Sequence, residues 1–381
     1  MSESTTVNYP QEFKGFAIND PSKWDNPKLV SYEPKKFGPH DLDIEIECCG
    51  ICASELFSLK NDWSDQPLAC LSSTYGPKTQ VVGHEIVGKI IAKGTDVTMY
   101  EIGQRVGLGA QAYSCLKCSR CNDNNEQYCP HAVGTYCSKY EDGYVSQGGY
   151  ASHVRALDHF CFPIPDSIES KFVGPLMCGG LTVYSPIKRN IENVKGVPHV
   201  AIIGIGGLGH MAIMIAKAMG SRVTAFSRNY DKKDDAMKMG ADHFVATQLD
   251  KDWTQTYRDQ FDLILNCASS TKYLPINDLL PCLKVNQRFI SVGLPHKEEK
   301  LDLKPIQFFS NGCTIGSSKL GTRQEAIELL DLAAKNNIKP WIQEIPICEE
   351  GVHEGLTKLD RGDVKYRFVL TDFHRFFNTG K

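Results

Sequence analysis

The stretch His199-Val-Ala-Ile-Ile-Gly-Ile-Gly-Gly-Leu-Gly-His-Met-Ala-Ile-Met-Ile-Ala-Lys-Ala-Met219 decides the fold of this chain. Its first five residues predict a buried strand, and the apolar segment from Leu208 onward has the length of a helix. Gly204, Gly206 and Gly209 lie between the two, which is the context in which this glycine spacing indicates a dinucleotide site. Such glycines permit a tight turn and bring backbone close to a pyrophosphate at the helix N-terminus. Simple packing of a strand against a helix would not require three glycines at this spacing.

Downstream of this stretch, short apolar runs alternate with helical segments. Strands are predicted at residues 222–226, 261–265, 288–292 and 313–315, and helices at about 232–239 and 274–283. Alternation of this kind predicts a parallel, doubly wound sheet. Thr322-Arg-Gln-Glu325 has the form of a capping box and predicts a helix that runs to about residue 336. A helix near 352–359 and a strand at 365–370 are predicted to close the chain.

The chain before residue 180 has a different texture, rich in glycine, proline and short β-like runs. Residues 43–47 alternate strictly between polar and apolar, and residues 86–91 form a second short run. The segment after the nucleotide-type region is too short to form a domain alone. We therefore predict a β-rich domain at 1–180, a nucleotide-binding domain at 181–318, and a segment at 319–381 that returns to the first domain.

Composition indicates an ordinary globular protein and argues against some partners. The 381 residues suffice for two domains, with 41% apolar and 23% charged residues and a net charge of −3. That charge gives no electrostatic reason to expect nucleic acid or an anionic membrane as partner. The N-terminus lacks the basic and apolar regions of a secretory signal, and the longest uncharged apolar stretch, 200–216, is interrupted by glycines. We therefore expect a cytoplasmic protein.

Four closely spaced cysteines form the strongest metal motif. Fifteen cysteines in a chain without a visible export signal favour metal binding or catalysis over a disulfide framework. Cys115-Leu-Lys-Cys118-Ser-Arg-Cys121 and then Cys129 supply four thiolates, enough to close a tetrahedral zinc shell. A closed shell has no exchangeable position, so this zinc is predicted to be structural and coupled to local folding. Disulfides, unpaired thiols and an iron–sulfur cluster are the alternatives.

Three residues far apart in sequence are candidates for a second, open metal site. Cys52 lies in Cys49-Gly-Ile-Cys-Ala-Ser-Glu55, His84 lies between a glycine and a glutamate, and Cys178 precedes two glycines. Two thiolates and one imidazole leave a fourth position open, as a catalytic zinc requires. Each residue alone is explained as well by a buried thiol or a loop histidine. Their company with the four-cysteine motif and the glycine motif favours a catalytic zinc.

The end of the second predicted strand indicates the cofactor. An NAD enzyme carries an acid there, about 20 residues beyond the glycines, to bind the ribose 2′-hydroxyl. Here Ser227 occupies that position and Arg228 follows, with Lys232 and Lys233 close behind. A hydroxyl and a guanidinium can bind a 2′-phosphate that a carboxylate would repel. The segment therefore predicts NADP, and the nearby aspartates are better explained as first-turn residues of the next helix.

Longer strings carry a resemblance to a known family. They are Val82-Gly-His-Glu-Ile-Val-Gly88, Tyr140-Glu-Asp-Gly-Tyr-Val-Ser-Gln-Gly-Gly-Tyr150, Cys178-Gly-Gly-Leu-Thr-Val-Tyr-Ser-Pro186, Ala236-Met-Lys-Met-Gly-Ala-Asp242 and Gly362-Asp-Val-Lys-Tyr-Arg-Phe368. With the metal and glycine motifs, they resemble the cinnamyl-alcohol-dehydrogenase branch of the zinc-dependent medium-chain dehydrogenases, and in particular its fungal NADP-dependent broad-specificity members. The resemblance implies an α/β fold with a GroES-like β-rich catalytic domain, a Rossmann doubly wound parallel-sheet domain, an active site in a cleft and a homodimer.

The resemblance also implies roles residue by residue. Cys52, His84 and Cys178 match the ligands of a catalytic zinc, and Glu85 matches a ligand that alternates with the open position. The four clustered cysteines match the structural zinc set, so two zinc ions per chain are implied. Ser54 matches the hydroxyl that touches the substrate oxygen. Positions that match cofactor contacts are Thr182, Gly204, Ile205, Gly206, Gly207, Leu208, Gly209, Ser227, Arg228, Lys232, Gly293 and Ser317.

Three features depart from the family pattern. Phe57 stands where the family usually has the histidine that forms the outer member of the proton relay. Glu55 replaces the aspartate that orients the zinc histidine and is one methylene longer. The connection between Cys52 and His84 is longer than usual, with the extra length around residues 68–78. These departures bear on proton transfer, zinc geometry and substrate choice, respectively.

The favoured function is zinc-dependent hydride transfer between NADPH and aromatic or medium-chain aldehydes, as in an alcohol dehydrogenase or aldehyde reductase acting on small molecules. In this interpretation Ser54 passes a proton to the developing alkoxide. One alternative is NADPH-dependent reduction of an activated C=C bond, which needs less of the relay that Phe57 interrupts. Another is a non-catalytic NADPH- or zinc-binding regulatory protein. Loss of a zinc ligand would have favoured that alternative, and none of Cys52, His84 and Cys178 is lost.

Overall fold

The fold is that of a computed structural model describing residues 10–62 and 79–379. Its strands are β1 Phe13–Ile18, β2 Lys28–Tyr32, β3 Asp41–Ile51, β4 Gln80–Val81, β5 Glu85–Lys93, β6 Arg105–Leu108, β7 Gln111–Tyr113, β8 Val133–Gly134, β9 His153–Leu157, β10 Cys161–Pro163, β11 His199–Ile203, β12 Arg222–Ser227, β13 His243–Ala246, β14 Phe261–Asn266, β15 Leu283–Ser291, β16 Thr314–Ser317, β17 Ile342–Pro346 and β18 Arg367–Thr371.

The α-helices of the described residues are short for the most part. They are α1 Ala53–Lys60, α2 Ser119–Asn122, α3 Ser170–Val173, α4 Gly179–Ile191, α5 Gly209–Ala218, α6 Lys233–Lys238, α7 Trp253–Thr256, α8 Ile276–Leu279, α9 Arg323–Asn336, α10 Glu349–Arg361 and α11 Phe373–Thr379. Single 3₁₀ turns lie at Pro21–Lys23, Glu126–Tyr128, Asp158–Phe160, Gly174–Met177, Leu280–Cys282 and Pro305–Phe309. No helix among the described residues combines the length and apolar character needed to cross a membrane.

These elements group into two compact units. The first contains the described residues of Met1–Cys178, Thr322–Leu330 and Ile342–Lys381, and the second contains Gly179–Gly321 and Asp331–Trp341. Each unit has a hydrophobic core of its own. Both candidate zinc sets lie in the first unit and the glycine motif lies in the second, so each site can be described within one unit.

The first unit is built on a seven-stranded sheet with the order β10-β6-β5-β3-β18-β17, in which β9 also pairs with β3. The long strand β3 is antiparallel to β5, β9 and β18. Apolar side chains of β3 and β5, among them Ile44, Ile46, Ile86 and Ile90, are at most 2% exposed and pack in one core. This packing fixes the end of β3 beside the start of β5, and β18 at the end of the chain completes the same sheet.

The second unit contains a six-stranded sheet with the order β13-β12-β11-β14-β15-β16, and every neighbouring pair is parallel. The chain runs outward from β11 to one edge and then returns to β14 and proceeds to the other edge. This is the predicted doubly wound sheet, and its switch point lies between β11 and β14. Phe226, Phe261 and Trp253 meet edge to face beneath it and are buried, which holds the sheet to its helical layer.

Most predicted elements are present, and the differences have physical causes. The strands predicted at 222–226 and 261–265 are β12 and β14, but β15 begins at Leu283, five residues before the predicted start at 288. The segment 274–283, predicted as one helix, is a short helix α8 followed by a 3₁₀ turn, because Pro281 cannot continue a helix. Before residue 180 only the strands that became β3 and β5 were predicted individually. After it, β13 and β17 were not predicted, since polar residues interrupt their short apolar runs.

Candidate active site and zinc centres

Three separate segments bring one thiol, one imidazole and a second thiol together. Cys52 follows the last residue of β3, His84 precedes the first residue of β5, and Cys178 follows the 3₁₀ turn Gly174–Met177. One ligand atom from each of Cys52, His84, Glu85 and Cys178 lies within 4.8 Å of the other three. Ligand atoms bound about 2.0–2.3 Å from a single zinc would be separated by distances of this order. The arrangement therefore fits one metal ion with two thiolates and an imidazole as ligands.

The neighbour of His84 determines which of its ring nitrogens is available. Nδ1 lies 2.8 Å from the Glu55 Oε1 atom, and both side chains are buried. Nε2 is also buried and has no hydrogen-bond partner among the described residues. A carboxylate on Nδ1 keeps the proton there and leaves Nε2 as the metal-binding nitrogen. The buried, unpartnered Nε2 is thus the observation that fits a metal best.

Glu55 contacts His84 in the way that the resemblance implies for an aspartate, although its side chain is one methylene longer. It sits in the first turn of α1, and its Oε2 accepts hydrogen bonds from the Cys52 N–H at 2.5 Å and from the Tyr150 hydroxyl at 3.2 Å. The first of these bonds caps the N-terminus of α1. One carboxylate therefore caps the helix and orients the histidine, so the extra methylene does not displace the contact.

Glu85 is held away from solvent by a buried ion pair with Arg367 of β18. Both side chains are no more than 6% exposed. Across the sheet, Gly50 of β3 pairs with Glu85, and a Cβ at Gly50 would lie 2.0 Å from Glu85 Oε2. Glycine is therefore required at residue 50 to leave room for this carboxylate. Arg367 belongs to the string 362–368 quoted above, but no role at the site was predicted for it.

The electrostatics of the set favour a bound cation. A hydrogen bond with Cys178 is the main cause that holds the pKa of the Cys52 thiol well below its usual value. Burial lowers the pKa of His84, but the Glu55 carboxylate and Cys52 outweigh burial and raise it to about 10. Thiolate and carboxylate thus surround the imidazole with negative charge, which either a proton or a metal ion can balance.

The four cysteines of the predicted structural zinc also converge. The Sγ atoms of Cys118 and Cys121 lie 3.5 Å apart, as do those of Cys115 and Cys129, while Cys118 and Cys129 are separated by 3.9 Å. These distances exceed a disulfide bond, and all four are free thiols. A hydrogen bond from the Lys117 N–H is the main cause that lowers the pKa of Cys115 to about 6. The geometry fits one metal ion with four thiolate ligands and shows no disulfide among these four residues.

The glycine motif of the second unit connects β11 to α5, with Ile205, Gly207 and Leu208 in the connecting loop. A Cβ at Gly209 would lie 1.9 Å from the Gly204 carbonyl oxygen, so the turn itself requires glycine there. A Cβ at Gly206 would meet no protein atom within 4 Å. The fold therefore does not require glycine at 206, whereas close approach of a pyrophosphate would.

The other predicted cofactor residues lie at the carboxyl ends of the parallel strands or close to them. Ser227 ends β12, Gly293 follows β15, and Ser317 ends β16, whereas Thr182 lies in α4. Because carboxyl ends of parallel strands share one edge, the three strand residues border the same edge as the glycine loop. This is the edge at which doubly wound sheets bind nucleotides.

Two cations near this edge have different surroundings. Arg228 follows β12, and its guanidinium lies 5.6 Å from the ring centre of Tyr273. The Lys232 ammonium donates a 2.6 Å hydrogen bond to the Ile205 carbonyl, and burial lowers the pKa of Lys232. Lys232 therefore ties the glycine loop to the segment after β12, a contact that spacing alone did not predict.

Ser54 and Phe57 both lie in α1, directly after Cys52. The Ser54 hydroxyl accepts a hydrogen bond from the Tyr136 hydroxyl at 3.4 Å, and the Tyr136 ring packs 5.4 Å from the His84 ring. Tyr136 was not predicted as a site residue, because no motif marks it. The longer connection predicted around residues 68–78 lies outside the described residues.

Comparisons with known proteins show the family of the chain. A model of the alcohol dehydrogenase GroES-like domain matches residues 38–166, and a model of the zinc-binding dehydrogenase domain matches residues 207–335. NADP-dependent alcohol dehydrogenase 6 of Saccharomyces cerevisiae is 44% identical over 98% of this chain and 100% of the yeast protein. A cinnamyl alcohol dehydrogenase structure from Sorghum bicolor is 30% identical, with a TM-score of 0.82 over 94% of this chain and 97% of that one. A Helicobacter pylori relative complexed with NADP(H) is 30% identical, with a TM-score of 0.81 over 94% and 98%.

Proposed function

Because the chain belongs to the zinc-binding alcohol dehydrogenases and is an NADP-dependent oxidoreductase, we propose that Cys52, His84 and Cys178 hold its catalytic zinc. Glu85 is proposed as the alternating ligand, with Cys115, Cys118, Cys121 and Cys129 holding the structural zinc. The single observation that carries the proposal is the buried, unpartnered His84 Nε2 beside two thiols. When bound, zinc supplies a Lewis acid and NADPH supplies hydride for the interconversion of a carbonyl and an alcohol.

Residues around the proposed zinc would orient its ligands, balance charge and supply a proton. Glu55 keeps the proton on His84 Nδ1 and so fixes the tautomer, and Arg367 balances the charge of Glu85. The Ser54 hydroxyl, two residues from Cys52, donates a hydrogen bond to the substrate oxygen and holds the proton that this oxygen takes up. The first unit would then be the catalytic domain, with Ser54 and Glu55 in α1, Glu85 in β5 and Arg367 in β18.

The second unit is proposed as the NADP-binding domain. The glycine loop and the N-terminus of α5 hold the pyrophosphate, with Thr182, Gly293 and Ser317 as further contacts. Ser227 and Arg228 bind the 2′-phosphate through charge-assisted hydrogen bonds. Lys232 acts in part through the loop, since its ammonium already holds the Ile205 carbonyl.

The proposed substrates are aromatic and medium-chain aldehydes, reduced to alcohols. The test is NADPH oxidation with a panel of saturated aldehydes and α,β-unsaturated aldehydes, with product identification by mass spectrometry and NMR. Products that keep the C=C bond and gain an alcohol support the proposal. Products that keep the aldehyde and lose the C=C bond would favour the alternative, reduction of the activated C=C bond. That reaction needs less of the proton relay that Phe57 interrupts.

The assembly and location are proposed as a cytoplasmic homodimer. Strand β16 is the last strand of its sheet, and nearby Ile306 and Phe309 are 69% and 84% exposed. An unpaired sheet edge beside exposed apolar side chains suits association of two copies. No disulfide joins the described cysteines, which suits a reducing compartment. Light scattering of the wild-type protein and of Phe309→Glu tests the dimer, and imaging of a tagged chain tests the location.

A further inference from the structure

The hydroxyl of Tyr136 contacts Ser54, the residue proposed to contact the substrate. It donates to Ser54 Oγ at 3.4 Å, while its ring lies 5.4 Å from the His84 ring at an interplanar angle of 31°. The tyrosine therefore contacts both the proposed proton-holding hydroxyl and a proposed zinc ligand. None of the sequence motifs includes it.

The backbone on both sides of Tyr136 is fixed. The Thr135 N–H donates to the Ala110 carbonyl at 3.0 Å, and its hydroxyl donates to the Gly109 carbonyl at 2.5 Å. On the other side, the Ser138 N–H donates to Ser146 Oγ at 3.1 Å. The fixed backbone holds the Tyr136 hydroxyl in position before the substrate binds. Little further side-chain entropy is then lost in the reaction.

We propose that Tyr136 is a positioning residue that aims the proton of Ser54 at the substrate oxygen. A serine hydroxyl carries one proton and two lone pairs. When Tyr136 donates to one lone pair, the Ser54 proton must point elsewhere, and the substrate oxygen is its acceptor in the proposed function. Phe57, one turn further along α1, has no group that could do the same. The inference rests on the proposed function of Ser54.

The test is Tyr136→Phe, which removes the hydroxyl and keeps the ring against His84. We expect kcat for aldehyde reduction to fall about 2- to 12-fold, the effect of one lost hydrogen bond, with the KM for NADPH and two zinc ions per chain retained. In a Ser54→Ala background the same substitution should have no further effect, because the partner is already gone. Tyr144→Phe is the matched control, since it also loses one hydroxyl hydrogen bond, here to the Glu33 carbonyl at 3.2 Å.

The possible failures are distinguishable. If Ser54→Ala keeps the full rate, the proposed role of Ser54 fails and the inference fails with it. If Ser54→Ala is slow but Tyr136→Phe is as fast as Tyr144→Phe, only the inference fails. Additive losses in the double variant, or loss of zinc from Tyr136→Phe, would also overturn it, because Tyr136 would then act through the metal site or the packing.

Discussion

Cofactor choice depends on Arg228 in this account. Arg228→Ala should weaken NADPH binding about 10- to 100-fold and leave NADH binding nearly unchanged, because only a charge-assisted phosphate contact of about 1.5–3 kcal/mol is lost. Titration of both cofactors followed by fluorescence measures this. The matched control is Arg222→Ala, an exposed arginine at the opposite end of β12. Equal weakening of both cofactors would mean that Arg228 positions the loop and does not bind the phosphate.

Proton transfer depends on what replaces the family histidine at Phe57. Phe57→His should raise alcohol oxidation near neutral pH and flatten its rise with pH, because a titratable group is restored to the relay. General acid–base groups contribute about 10²- to 10⁴-fold, and a gain of about 10-fold is expected if water already rescues part of the transfer. Phe57→Leu removes the ring without adding a nitrogen and serves as control. An unchanged pH–rate profile in Phe57→His, with zinc retained, would contradict this account.

At single residues, the sequence indicated which side chains converge but not what surrounds them. Cys52, His84 and Cys178 could be proposed because their residue types suit zinc, but Arg367 and Tyr136 could not. Each of those two approaches the site only through long-range sheet or loop contacts. The longer side chain of Glu55 bears on the zinc geometry, and it contacts His84 Nδ1 at 2.8 Å.

Among the elements, the four-cysteine lobe should depend most on metal. Cys118→Ser should release one of two zinc ions and lower Tm by more than about 5 °C, since a structural site contributes directly to folding energy. Metal analysis and thermal unfolding measure both effects. Cys348→Ser is the control, because Cys348 Sγ caps α10 by accepting from the Gly351 N–H and serine caps equally well. A Cys118→Ser protein with two zinc ions and an unchanged Tm would refute the structural role.

His199, the first residue of β11, makes the free energy of unfolding depend on pH. Burial is the main cause that lowers the pKa of His199 to about 4, and Nε2 lies 2.9 Å from Thr224 Oγ1. Between about 6.5 and 4 the unfolded chain binds a proton that the folded chain excludes, so stability falls as pH decreases through this window. The loss approaches about 1.4 kcal/mol per pH unit.

His199→Gln should therefore flatten the decline of Tm between pH 7 and pH 5 relative to the wild-type protein. Comparing two proteins that share the same zinc sites cancels the effect of metal loss in acid. The control is His374→Gln, at an exposed position of α11. Parallel Tm curves for His199→Gln and the wild-type protein would show that His199 does not carry this pH dependence.

Element prediction succeeded where apolar periodicity was strong and failed where tertiary contacts decide. The run His199–Ile203 and the Thr322–Glu325 capping box both appear as predicted; Thr322 N–H donates to Glu325 and Glu325 N–H to Thr322 Oγ1. Strand β17, by contrast, alternates poorly and exists because it pairs with β18. Pairing with another strand leaves no local pattern, so β13 and β17, with their interrupted apolar runs, were missed.

At the scale of the whole molecule, the order of the sheets explains why one chain supports two kinds of site. The mixed first sheet pairs β18, near the end of the chain, with β3, and the unit built on it contains both metal sets. The parallel second sheet gathers the carboxyl ends of its strands at one edge, where the glycine loop lies. The sequence motifs indicated each site separately, and only the topology brings their residues together within each unit.

Zinc-dependent aldehyde reduction is tested by measuring zinc content and aldehyde-dependent NADPH oxidation on the same freshly purified sample. We predict two zinc ions per chain for the wild-type protein, with NADPH used more than about 10-fold faster than NADH at equal concentration. Cys178→Ser should retain one zinc ion and NADPH binding and lose aldehyde reduction, because only the open site is broken. One zinc or none in the unchelated wild-type protein, or full aldehyde reduction by Cys178→Ser, would contradict the account.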